Sequence, residues 1–361
     1  MKPAKQLKTR GVATSPSSRF QKQITEAFDD GWSSELDELP SFKTDVQPEI
    51  ARSIVNKIDS PDIAIKQSIN PYRGCEHGCV YCFARPSHSY LDLSPGIDFE
   101  TKLSYKANAP ELLEKRFRHP NYGKSNPVEP IALGINTDTY QPIERKLKLT
   151  RRLLELMLEY RHPVSILTKG ATLLRDLDLL EALAEQNLVS VSISLTTLNQ
   201  DLKRRMEPRT ASPRARLNML SRLREIGIQP GVMIAPLIPA INDHELESIL
   251  ARASGAGATH ADYVVLRLPH ELKDIFRTWL KDHYPDRASH VMNLVQELHG
   301  GKDYDPRFGT RRSGRGVFAQ LLRKRFEVAA RRNGLNRESA SSLDRTAFRV
   351  PKREGDQFRL V

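Results

Sequence analysis

The sequence of 361 residues predicts an α/β protein built on a parallel sheet, carrying an irregular N-terminal arm and a basic helical C-terminal extension. Three observations carry this. Short β-branched or apolar segments alternate with amphipathic helical ones from about residue 64. No stretch approaches the roughly 18 apolar residues of a membrane span, and the mean hydropathy is −0.50. The cysteines number three, too few and too odd for a disulfide scaffold.

The elements follow in order. Residues 1–50 are rich in Ser, Pro, Lys, Asp and Glu and read as a loosely wrapped arm, with Phe20, Phe28 and Trp32 available to pin it. The arm opens on Lys2, Lys5, Lys8 and Arg10 with no apolar run behind them, which argues against a secretory signal. Strands are expected at Ile63–Ser68, Ile131–Asn136, Val164–Lys169, Val189–Leu195, Gly231–Pro236 and Tyr263–Leu268. Helices fall between them. Leu147–Tyr160 sets Leu149, Leu153, Leu156 and Met157 on one stripe, and Leu177–Gln186 repeats the pattern. Ser212 followed by Pro213 reads as an N-cap and first helical position, ending at Gly227. Asn242 with Glu245 reads as a capping box. Beyond residue 270 come helices at Leu272–Leu280, Arg287–Leu298 and Val317–Asn333, joined by a loop over 300–316. The chain therefore divides into an arm at 1–62, a core at 63–270 and an extension at 271–361. Six strands alternating with helices imply right-handed crossovers, in an open doubly wound sheet or a partial barrel, and periodicity does not choose. In both, functional residues gather at the C-terminal ends of the strands.

Charge is uneven. The net charge is +12, and residues 311–361 hold 14 Lys and Arg against 5 Asp and Glu. Such a region can serve as a nucleic-acid footprint or as a solvated helix face. If nucleic acid binds, the Gly-punctuated loop with Tyr304, Arg307, Arg311, Arg312 and Arg315 is where phosphate contacts are expected.

All cysteines fall within eight residues, as Cys75-x3-Cys79-x2-Cys82, just after the first expected strand. Three thiols on one compact loop suggest metal ligation. Zinc in a structural site wants a fourth ligand, for which His77 and His88 stand nearby at no familiar finger spacing. A cubane iron–sulfur cluster normally takes four cysteines, so three leave one iron open to a substrate or cofactor. Buried structural cysteines are the remaining reading. Gly74 and Gly78 suit a loop that wraps tightly.

The spacing, with aromatic Tyr81 before the last cysteine, resembles the signature of the radical S-adenosylmethionine (radical SAM) superfamily, and the resemblance spans about residues 64–270. It implies a partial (β/α)6 barrel, with a 4Fe–4S cluster whose open iron is chelated by S-adenosylmethionine. The cluster's electron cleaves a C–S bond to give a 5′-deoxyadenosyl radical, which takes a hydrogen atom from substrate. A low-potential cluster implies a reducing electron donor and the cytoplasm. Within the superfamily the chain looks most like the branch related to spore photoproduct lyase, a DNA-repair enzyme. This rests on the Asn70–Cys82 loop, Leu167-Thr168-Lys169-Gly170, Ser192–Leu195, and Glu207-Pro208 with Arg216. That lyase returns hydrogen to its product through an additional cysteine, and this chain has no fourth cysteine.

The resemblance assigns further residues. Asn136, Thr137 and Asp138 end the second strand, where the methionine amine is usually met; a polar capping loop is the bland alternative. Lys169 matches a lysine that pairs with the methionine carboxylate, or else snorkels at a barrel rim. Ser194 suits the ribose or carboxylate, with Ser192 on the same face. Glu207 and Arg216 form an ion pair under the cofactor, or a surface pair. Ile234, with Ala235 and Pro236, offers an apolar shelf for adenine, or is sheet core. Tyr81 shields the cluster or stacks on adenine. Three functions compete: a radical SAM enzyme acting on nucleic acid, one acting on a protein or small molecule, and a non-enzymatic metal-stabilised nucleic-acid-binding protein.

Overall fold

A computed structural model describes residues 11–12, 14–20, 43–124, 127–337 and 342–352. Phe28 and Trp32 lie outside them. The strands are β1 (Asp45–Glu49), β2 (Val55–Lys57), β3 (Gln67–Ile69), β4 (Tyr72–Arg73), β5 (Lys102–Lys106), β6 (Ile131–Leu133), β7 (Val164–Thr168), β8 (Val189–Ser194), β9 (Gly231–Leu237) and β10 (His260–Val265). The main sheet runs β10-β9-β8-β7-β6-β3-β2. Its six strands from β3 to β10 are mutually parallel, and β2 joins antiparallel to β3. The order of the parallel strands never reverses. Same-handed crossovers then put the helices that connect these strands on one face, and the sheet curls around the other. That decides for the partial (β/α)6 barrel over a doubly wound sheet, which needs a reversal point.

Alternation along the strands marks the two faces. On β8, Val189, Val191 and Ile193 enter the main apolar cluster with the helices, while Ser190 and Ser192 face the opposite way and are less buried. Ser190 Oγ donates to Ser165 Oγ of β7 at 3.0 Å, so a row of small polar side chains lines the inner face.

Each of the six expected core strands is present, most with ends shifted by one to four residues. The arm is more regular than its composition suggests, because β1 and β2 form within it. A second sheet, β1-β5-β4, was not legible. The helix at Pro213–Glu225 starts as expected, with Ser212 Oγ accepting from Ala215 N–H. The capping box at Asn242 does not form. Its side-chain amide is fully buried and ties strand-end backbone instead, accepting from Ile238 N–H at 2.6 Å and donating to Thr196 and Pro236 carbonyls.

The C-terminal region closes the barrel. Arg311 Nε reaches Asp62 at 2.5 Å, Arg312 reaches Asp262 of β10 at 2.8 Å, and Arg307 and Arg315 pair with Asp305. The loop thus clasps the last strand to the connection before the first. Four of the arginines expected to meet phosphates are engaged by carboxylates in the fold. Two of the partners, Asp62 and Asp262, are distant in sequence.

Candidate active site

The cysteine loop leaves β4 at Gly74 and turns through two left-handed glycines, Gly74 (φ +75°) and Gly78 (φ +66°). It is held by the parts around it. Cys75 N–H donates to Phe99 O at 2.9 Å, Glu76 N–H to Gln141 Oε1 at 2.8 Å, and Val80 N–H to Met206 O at 3.0 Å. Arg85, fully buried, donates through Nε to Cys79 O at 2.9 Å and pairs with the fully buried Glu100. The N-terminal segment lies on top: Gly11 N–H donates to Glu100 Oε2 at 2.8 Å, and Val12 packs in the cluster that contains Cys79, Val80 and Tyr81. A buried ion pair is costly unless its remaining donors and acceptors are met. Here they are, so the pair fixes the loop.

Gly78 has no room for a side chain: a Cβ there would lie 2.8 Å from Glu100 Oε2. Gly78→Ala combines that contact with a left-handed φ, and is expected to destabilise the protein by about 1–3 kcal/mol. A lowered urea midpoint and reduced iron loading would show it; an unchanged midpoint would contradict the packing described.

All three cysteines are free thiols, Cys75 and Cys79 buried and Cys82 partly so. Burial pushes all of their pKa values up, that of Cys79 to about 12. Among the described residues no trio of His, Cys, Asp or Glu side chains is gathered as a single-ion site. The neighbouring histidines face other partners. His88 Nε2 sits 3.0 Å from Lys102 O, and His77 Nδ1 is 3.3 Å from Asp138.

The ends of β6, β7 and β8 supply the surroundings. Asp138, after β6, accepts from Thr168 Oγ1 at 2.6 Å, Lys169 N–H at 2.8 Å and Tyr140 N–H at 2.9 Å. Burial works against its charge, but His77 and these donors outweigh it and hold the carboxyl well below its usual range. Its own N–H lies against Cys75. The Lys169 ammonium stands 5.9 Å from the centre of the Tyr81 ring. Ser194 Oγ is buried and has no hydrogen-bond partner.

Beneath Tyr81 is a saturated buried network. Glu207, fully buried, accepts from Tyr81 Oη, Arg216 Nη2 and, at 2.7 Å, Thr196 Oγ1. Arg216 spends its other donors on Ser194 O and Ala211 O, both at 3.0 Å. Burial pushes the Glu207 carboxyl up, yet Arg216, Lys169 and the donated hydrogen bonds bring it down to about 2. The pair is therefore an interior device and not a surface one.

Of the residues singled out in the sequence, Cys75, Cys79, Cys82, Tyr81, Asp138, Lys169, Ser194, Glu207 and Arg216 converge on this mouth. The other three are placed differently. Asn136 is exposed, and its backbone N–H donates to Asn70 Oδ1 at 2.9 Å. Thr137 Oγ1 donates to Tyr72 O at 3.0 Å. Ile234 is fully buried in the helix-packed core; its neighbours Met233 and Ala235 alternate onto the open face. Thr196, Gln141 and the Arg85–Glu100 pair carry no local sequence signal, because their partners are set by tertiary contact.

The comparisons with known proteins agree with this geometry. The radical SAM superfamily profile matches residues 69–253. The chain belongs to the radical SAM superfamily, and it is a radical SAM enzyme. An uncharacterized protein of Mycobacterium tuberculosis is 36% identical over 250 residues, covering 68% of this chain and 72% of that one. One of Methanocaldococcus jannaschii is 28% identical over 229 residues, covering 63% and 80%. Among solved structures, a spore photoproduct lyase complexed with dinucleoside spore photoproduct superposes with a TM-score of 0.56 at 15% identity, over 80% of each chain. A mutant of that lyase with bound AdoMet and the same dinucleoside gives 0.56 at 14% identity, again over 80% of each. The fold is thus that of spore photoproduct lyase. No helix among the described residues is long and apolar enough to cross a membrane.

Proposed function

We propose that Cys75, Cys79 and Cys82 hold a 4Fe–4S cluster with one iron open to S-adenosylmethionine, and that the enzyme acts on nucleic acid. The observation that carries the first part is the three-thiol loop, all of its cysteines free and its backbone tied by Phe99, Gln141, Met206 and Arg85, next to the strand ends. The donor set fits: three soft thiols and an unpartnered buried hydroxyl, Ser194, beside a lysine. When bound, such a cluster supplies the electron that cleaves S-adenosylmethionine to a 5′-deoxyadenosyl radical. The chain's own residues do the rest. Lys169 offers a cation to the methionine carboxylate, and Ser194 Oγ a hydrogen bond. Asp138, already ionised, orients the Cys75 side of the loop and Lys169 through the latter's backbone. Tyr81, a neutral phenol anchored on Glu207, walls the site from water. Ala235 and Met233, in place of Ile234, present the apolar surface for adenine.

Nucleic acid is supported by the net charge of +12 and by the fold shared with a lyase that was solved with a dinucleoside lesion. With the loop arginines engaged in the clasp, exposed Lys324, Arg331 and Arg332 of the helix Gly316–Arg332 remain for phosphates. Reductive cleavage of S-adenosylmethionine by anaerobic, reconstituted protein, in the presence of uniformly deuterated DNA, should place deuterium in 5′-deoxyadenosine. Binding of DNA should weaken steeply from 50 to 200 mM salt, as released counterions require. Deuterium-free product together with salt-indifferent binding would favour a protein or small-molecule substrate.

A further inference from the structure

Most cations of the loop and of the barrel mouth have carboxylate partners, and Arg267 stands apart. It follows β10 on the stretch where Leu266 N–H still bonds Leu237 O at 3.1 Å. Leu266 and Leu268 are buried in the apolar cluster with the Leu272–His283 helix, so alternation turns Arg267 the other way. Its guanidinium carbon lies 4.9 Å from the centre of the Phe83 ring and 5.9 Å from that of Tyr304. Phe83 directly follows the ligand Cys82 and is 40% exposed. The one hydrogen bond of Arg267, from Nη2 to Tyr304 Oη, is long at 3.3 Å. Its Nε is buried with no partner. No carboxylate among the described residues pairs with it. Arg277, Arg307, Arg311, Arg312 and Arg315 nearby in sequence are all paired.

A guanidinium packed beside two aromatic rings, half-buried and with no carboxylate partner among the described residues, is placed to receive an anion on its terminal nitrogens. An exposed aromatic ring beside it is a stacking surface for a base. We propose that Arg267 is the substrate-positioning residue: it grips a phosphodiester of a nucleic-acid strand while Phe83 stacks on an adjacent base, next to the cluster loop. This rests on the nucleic-acid reading above. Packing against Phe83 steadies the guanidinium, and the phosphate accepts from its terminal nitrogens, the Nε being enclosed by protein. Arg267 takes no part in holding the cluster or S-adenosylmethionine.

The test uses anaerobically reconstituted holoenzyme and a fluorescein-labelled single-stranded decathymidylate, read by anisotropy over a salt series. Arg267→Gln should weaken binding by about 10-fold or more and flatten the log–log salt slope by about 0.7, one single-strand phosphate contact. Arg267→Lys should recover the slope and only part of the affinity, since an ammonium keeps the charge and loses the fork. Uncoupled cleavage of S-adenosylmethionine without DNA should be unchanged in both variants. A decamer with uncharged methylphosphonate linkages should bind wild type and Arg267→Gln alike, and inorganic phosphate should compete only weakly. Equal affinity and slope for wild type and Arg267→Gln would overturn the assignment while leaving the nucleic-acid reading intact. Loss of uncoupled cleavage in Arg267→Gln would overturn it by placing the residue at the cofactor. Failure of the wild type itself to bind the decamer would defeat the nucleic-acid reading, and the assignment with it.

Discussion

Cys79→Ala is expected to leave a folded protein that binds no iron–sulfur cluster and cleaves no S-adenosylmethionine. Cys79 is buried on a loop whose backbone is held independently of its sulfur: Arg85 Nε holds its carbonyl, and Val80 N–H bonds Met206 O. Alanine keeps those bonds and removes one small apolar contact beside Val80 and Tyr81. The stability cost should therefore be modest, about 1 kcal/mol. The functional cost should be complete, because two thiols leave two irons without protein ligands. Reconstituted variant protein should show no charge-transfer absorbance and 5′-deoxyadenosine at background, with far-ultraviolet circular dichroism like that of the wild-type apoprotein. Retention of a cluster spectrum would refute the ligand assignment, and loss of the circular dichroism signal would contradict the claim that the loop's fold does not depend on this thiol.

Arg216→Met should be the most damaging substitution for the fold itself. It removes the partner of a carboxylate that no water reaches, and breaking one side of a buried pair costs about 3–5 kcal/mol. Urea unfolding of the apoprotein measures this without the cluster. The pH dependence gives a second check. In the wild type the Glu207 pKa is held down at about 2 from 4.5. Its contribution is present in full above the unfolded carboxylate value and is lost as pH falls toward 2. In Arg216→Met that cation is gone, and burial drives the carboxyl up instead. Acid then neutralises the stranded charge, so the gap between variant and wild type should narrow from pH 7 to pH 5. A gap independent of pH would mean that the lost packing of Arg216, and not the uncompensated charge, dominates.

The sequence carried a good part of this. The six core strands and the helix at Pro213–Glu225 were legible because alternation, helical stripes and an N-cap followed by proline are local signals. The thiol loop was legible because its spacing is dense. The sheet β1-β5-β4 was not, since β4 has two residues and pairs across an intervening helix and loop. Asn242 shows the limit of a local rule: the residue types of a capping box were present, but tertiary carbonyls claimed the amide. The arginine loop shows the same limit for charge. Counting charges along the chain placed Arg311 and Arg312 in a basic patch, while folding set them against Asp62 and Asp262. Ile234 fell on the wrong face for the reverse reason, because β9 is apolar on both of its faces and alternation has nothing to read there.

Electron paramagnetic resonance of the anaerobically reconstituted, reduced protein, recorded with and without S-adenosylmethionine, tests the central claim most directly. A reduced 4Fe–4S signal whose g-values shift when S-adenosylmethionine is added is the predicted result, since only an open iron lets the cofactor perturb the cluster. No cluster, or a cluster signal indifferent to S-adenosylmethionine, would contradict it.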